Sequence, residues 1–153
     1  MDLNKLFHLQ KNLDAKILEQ NNLTNQNLSS QKILALQVKF GELANGTQCF
    51  SYWETKSPCK ESTILDEYLS CLHFILSIGI DNDFTNFDLS SSYLSCNIIE
   101  QFLGLFIDIN DFVICSSRDN YTTLFQDFIN LGECLGFDDS EIEANFLEKN
   151  VLI

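Results

Sequence analysis

Residues 62–80 are apolar almost all the way round a helix, with Thr63, Glu67, Ser70 and Ser77 tracing one polar strip down it. A helix of that kind is central and buried, so amphipathic helices must surround it. The rest of the chain supplies them. Leu6, Leu9, Leu13 and Ile17 recur at three- and four-residue steps over residues 3–20, as do Ile33, Leu36, Phe40 and Leu43 over residues 31–45. Further helices are expected over residues 92–107, over 118–136 with Leu124, Phe128 and Leu131 inward, and over 138–149. The single proline, Pro58, interrupts none of them. The expected class is all-α, a bundle of about six helices forming one domain over residues 1–153.

Punctuation residues fit that division. Ser29 or Ser30 is an expected N-cap for the second helix and Gly46 its expected stop. Asp138 and Glu141, three apart, form a capping-box arrangement at the last helix. Residues 46–61 make a loop long enough to suggest a role of its own, and it carries Phe50, Tyr52 and Trp53. Residues 81–88 read as an acidic linker.

Charge narrows the choice of partners. Twenty-two acidic residues against 9 basic ones leave a net charge of −13, with Arg118 the only arginine. Nucleic-acid binding depends on lysine and arginine neutralising phosphates, so no nucleic-acid partner is expected. The six cysteines form no C-x-x-C pair, and His8 and His73 add no zinc spacing. Cys71 and Cys134 fall in apolar helical segments and read as free core residues, which suits a reducing cytoplasm. The N-terminus lacks a signal-peptide layout. The longest apolar run, residues 68–80, is short for a bilayer. A soluble, cytoplasmic protein without a membrane partner is expected.

Chemistry concentrates in two acidic patterns, K-F-G-E-L-A-N over residues 39–45 and E-Y-L-S-C-L-H-F over residues 67–74. Two antiparallel helices would bring Glu42 and Glu67 together. A carboxylate in the most apolar helix of the chain calls for a cation or a proton. Lys39 lies one turn before Glu42, so both face the same space.

These strings, in this order, resemble the dimeric dUTPases of the all-α nucleoside triphosphate pyrophosphatase superfamily. The resemblance runs through L-Q-K-N-L-D, I-L-A-L-Q-V-K-F-G-E-L-A-N, F-S-Y-W, I-L-D-E-Y-L-S-C-L-H-F-I-L-S-I-G-I and E-I-E-A-N-F-L-E-K-N. It implies a helical homodimer that cleaves dUTP to dUMP and pyrophosphate, using Mg²⁺ held by an E-x-x-E and an E-x-x-D motif. By position, Glu42 matches the second acid and Glu67 the third, both as catalytic metal ligands. Lys39 stands in the place of the first acid and Ser70 in the place of the last. Gln10 and Trp53 match residues of the uracil pocket, and Lys149, followed by Asn150, matches a phosphate-contacting lysine. The family pattern continues with an arginine and a glutamine that close over the phosphates. Ile153, three past Asn150, ends the sequence here, so the expectation is a shortened chain or a lost lid.

Four carboxylates would carry four negative charges, whereas Lys39, Glu42, Glu67 and Ser70 together leave one. Such a set is expected to bind Mg²⁺ very poorly, with the Lys39 ammonium balancing Glu42 and Glu67 instead. The leading expectation is a family member with impaired or absent hydrolysis that still binds a deoxyuridine nucleotide. Two other readings are an active diphosphatase with replacement ligands such as Asp66 or Glu61, and an interaction module that uses the dimer surface. Asp66 should face about 100° away from Glu67, which argues against it as a ligand.

Overall fold

The computed structural model describes residues 1–91 and 96–151. Six α-helices are present and no strand among those residues: α1 Leu3–Gln20, α2 Ser29–Thr47, α3 Glu61–Asp81, α4 Ile98–Ile114, α5 Arg118–Cys134 and α6 Asp139–Val151. The central helix is α3. It packs most extensively on α2 and also touches α1, α5 and α6, while α4 lies on α5 and α2. By length and composition alone α3 could cross a membrane, but more than half of that stretch is buried inside the protein.

Two buried tyrosines hold α3 to α5. Tyr68 stacks on Phe128 at 4.3 Å and donates its hydroxyl to the Phe128 carbonyl at 3.0 Å. Tyr121 donates to the Ile75 carbonyl at 2.9 Å. Each ring end lies against a glycine of the facing helix, Tyr68 on Gly132 and Tyr121 on Gly79. A Cβ at either glycine would collide with the hydroxyl, so these glycines set how closely the helices approach.

Helix ends follow side-chain capping where a capping residue is available. Asp2 accepts from Lys5 N at 3.2 Å, Ser117 from Asn120 N at 3.1 Å, and Asp138 from Glu141 N at 2.8 Å. Four expectations need correction. First, α2 begins at Ser29 with Leu28 at its cap position, because Asn27 Oδ1 takes the Ser29 N–H at 3.0 Å. Second, Gly46 does not stop α2. It is buried in the last turn, its carbonyl accepts from Cys59 N at 2.9 Å, and Gln48 makes the left-handed exit with φ 52°.

Third, α4 begins at Ile98, capped by Asn97, and runs to Ile114. The expected start at Ser92 lies outside the described residues. Buried Ile109 and Phe112 continue the apolar period past Ile107, the expected end of the helix. Fourth, Cys134 is not a free core residue. It is the half-exposed last residue of α5 and forms a disulfide with Cys96, with Cα atoms 5.3 Å apart. Cys71 is buried and free as expected, and Cys49, Cys59 and Cys115 are also free.

The acidic linker is pinned rather than loose. Arg118 donates to the Asn86 carbonyl at 2.8 Å and lies over the Phe84 ring at 5.6 Å, and Phe87 meets Tyr121 and Phe125 edge-on.

Candidate functional site

The α2–α3 pairing puts the two acidic patterns side by side. Lys39 Nζ donates to Glu42 Oε2 at 2.8 Å, one helical turn away. That hydrogen bond holds Lys39 above the usual lysine range, opposed by desolvation and aided by the charges of Glu42 and Glu67. The ammonium therefore stays charged and is shared electrostatically by carboxylates from both helices. Beneath it, Cys71 is buried, and burial pushes its thiol up, with Glu67 adding to the shift. A neutral thiol is no metal ligand.

Ser70 brings a neutral hydroxyl rather than a carboxylate, and that hydroxyl donates to the Asp66 carbonyl of its own helix at 2.9 Å. Asp66 and Ser70 share the face of α3 that lines a pocket of about 320 Å³, together with Lys39, Lys149 and Asn150. The floor is apolar, built from Leu13, Ile17, Leu69, Phe74 and Phe146. Asp66 lines this pocket whereas Glu67 does not, in keeping with their separation of about 100° around the helix. The Asp66 carboxylate is engaged by Lys149 of α6, 83 residues further along the chain. Glu61 is exposed at the start of α3 and does not line this pocket.

Gln10 and Trp53 are not brought together. Gln10 is fully buried between α1 and α3, where its amide donates to Asp14 Oδ1 at 2.7 Å and its oxygen lies 3.0 Å from His73 Nδ1. Ser77 closes the chain of bonds by donating to Asp14 Oδ2 at 2.7 Å. Burial lowers the His73 pKa, partly opposed by Asp14, so a neutral ring donates to Gln10. His73 lines the pocket while Gln10 stands behind it. Trp53 is 60% exposed, with Nε1 bonded to Glu54 at 3.2 Å and its ring against Phe50 and Tyr52. It does not line the pocket.

Sequence reasoning missed His73, Phe74 and Phe146 as lining residues. The L-H-F string beside Ser70 was the available signal for the first two, since residues three and four after Ser70 share its face. Phe146 depends on how α6 docks, which no local pattern encodes.

The arrangement defines an all-α protein with a small apolar pocket rimmed by lysine–carboxylate pairs. Comparison with protein families goes further: a family model described as dUTPase matches residues 2–152. The chain belongs to the dUTPase family. Comparison with curated proteins gives no match.

Membership implies a metal-dependent diphosphatase site, and the donor chemistry here does not fit a divalent metal. Among the described residues no cluster of three or more histidine, cysteine or acidic side chains could hold one. Glu42 and Glu67 share the field of an ammonium that is hydrogen-bonded to Glu42. Mg²⁺ requires near-octahedral oxygen coordination at short range, and a fixed positive charge in that space opposes it.

Proposed function

We propose that this chain is a nucleotide-binding member of the dUTPase family in which Mg²⁺-dependent hydrolysis of dUTP to dUMP and pyrophosphate is impaired or absent. One observation carries the reading: the Lys39 ammonium bonded to Glu42 where the family resemblance places a metal carboxylate. A lysine balances charge, but it cannot orient water and triphosphate together or acidify a bound water. The roles of Glu42, Glu67, Lys39 and Ser70 at the former metal site, and of Lys149 at the phosphates, belong to this reading. For Gln10 the assignment becomes indirect, through His73, and Trp53 would need its loop to move or a second subunit to bring it in.

The test is calorimetric titration with Mg²⁺ and Mn²⁺, followed by dUTP turnover. Metal binding is expected to be undetectable and turnover far below an ordinary enzyme. Turnover on the order of 1 s⁻¹ would overturn the proposal. The double variant Lys39→Glu with Ser70→Asp should gain metal affinity, because it restores the missing oxygens and removes the ammonium.

The exposed apolar residues favour a second element of the reading, a homodimer. Leu34 and Val38 on α2 lie on the helix that packs with α4, which exposes Ile99, Leu103 and Ile107, and Phe40 joins the two helices through Phe106 at 4.7 Å. We place the protein in the cytoplasm, without nucleic-acid or membrane partners. The net charge of −13 supports the exclusion of nucleic acid.

A further inference from the structure

We propose that the pocket selects a nucleoside or nucleoside monophosphate over the corresponding triphosphate, with Lys149 as the one exchangeable cation at its rim. The inference rests on the nucleotide-binding reading above and adds the charge class of the ligand.

Size and lining come first. A pocket of about 320 Å³ is near the lower end of the roughly 300–1,000 Å³ range of small-molecule sites. Its apolar floor suits the flat body of a base, and it lies between α1, α3 and α6. The rim is where phosphate would have to sit, and there the charges are already matched. Lys39 is held by Glu42 of its own helix and by the field of Glu67 on α3. An incoming phosphate that displaced Glu42 would still meet Glu67.

Lys149 differs in its partners more than in its exposure. Among the described residues it is paired with Asp66, the two side chains being 43% and 57% exposed against 38% and 46% for Lys39 and Glu42. Among those residues no second carboxylate stands behind that pair as Glu67 does behind Lys39. An ion pair this exposed is cheap to open, and the released Asp66 carboxylate can turn into water. Phosphate then replaces carboxylate on the same ammonium, so one group is accommodated without burying an unpaired charge. Further phosphates would find no unclaimed cation among the described lining residues. They would also enter the field of Glu42, Glu67 and Asp66 on a strongly acidic protein. A metal ion would normally offset that repulsion, but the donor set does not hold one.

Calorimetry with three probes tests this: deoxyuridine, dUMP and the non-hydrolysable α,β-imido-dUTP, each in Mg²⁺ and in chelator. The dUMP complex should be at least about tenfold tighter than that of the triphosphate analogue, whose extra phosphates meet like charge with no cation to offset it. Mg²⁺ should change neither. Asp66→Asn, which frees Lys149, should tighten dUMP binding. Lys149→Ala should weaken dUMP while leaving deoxyuridine unchanged. A gain of affinity in Asp66→Asn cannot come from misfolding.

Tighter, Mg²⁺-dependent binding of the triphosphate analogue would sink the inference while leaving the nucleotide pocket standing. No heat from any of the three probes would remove the nucleotide-binding reading, and this inference with it. An unchanged dUMP affinity in both variants would remove Lys149 from the role given to it.

Discussion

Asp108 on α4 faces Asp127 on α5, and burial beside that carboxylate makes Asp108 costly to ionise. Burial, then the hydrogen bond and charge of Asp127 and the charge of Asp111, push the Asp108 carboxyl from 3.8 up to about 7. The folded state therefore binds a proton that the unfolded chain has already lost between those two values. Stability contributed by this group is present at low pH and declines as pH rises towards 7. His73 works in the opposite sense: burial lowers its pKa below 6.5, so its contribution is lost as pH falls below that value. Asp108→Asn should flatten the first dependence and stabilise the protein at pH 8 by something on the order of 1 kcal/mol, after discounting for partial exposure. Urea unfolding at pH 5 and pH 8 measures this, and an equal effect at both would contradict it. At this scale the sequence was legible only over short range. Lys39 and Glu42 sit one turn apart, so their pairing could be read from spacing alone. The Lys149–Asp66 pair joins residues 83 apart, and the burial of Gln10 depends on the contact of α1 with α3, so neither could be read that way.

Among the elements, α3 and α5 make the contact most sensitive to small changes. Gly132 and Gly79 leave room for the Tyr68 and Tyr121 rings, whose hydroxyls reach main-chain carbonyls across the interface. Gly132→Ala gains helix propensity of up to about 1 kcal/mol, yet it forces the Tyr68 ring off its stack on Phe128 and breaks a buried hydrogen bond. The net expectation is destabilisation by roughly 2–4 kcal/mol, read from the urea midpoint. A stabilised variant would show that the helices separate freely. Helix count and order were readable from periodicity, and α1 was readable to its ends because its apolar stripe and polar flanks coincide. The ends of α2 and α4 were not. Leu28 takes the cap position while Asn27 Oδ1 accepts from Ser29 N, and α4 continues past Ile107 because Ile109 and Phe112 are buried against other helices, which local spacing does not show. The Cys96–Cys134 bond could not be read because it depends on how the segment before α4 folds back to the end of α5.

For the whole molecule, the apolar face of α2 and α4 leads to the oligomeric state. Leu103 and Ile107 are 61% and 60% exposed on one side of α4, and Leu34 and Val38 are exposed on α2. Exposed apolar side chains on two packed helices are the kind of surface that takes a partner, and the homodimer proposed above would cover them. Sedimentation should give twice the 17.5 kDa chain mass. Leu103→Glu should shift it to monomer with helix content intact. A wild-type monomer at micromolar concentrations would leave the face without that partner.

The α2–α3 seam has a consequence for how such a site can change. Beneath Lys39, Glu42 and Glu67, the two helices are held together by Leu36, Phe40 and Leu43 against the apolar body of α3. These apolar side chains close the seam by themselves, so a change of charge above them leaves it standing. Chelators should leave such a protein standing, and its reactive surface is free to drift while its architecture stays fixed.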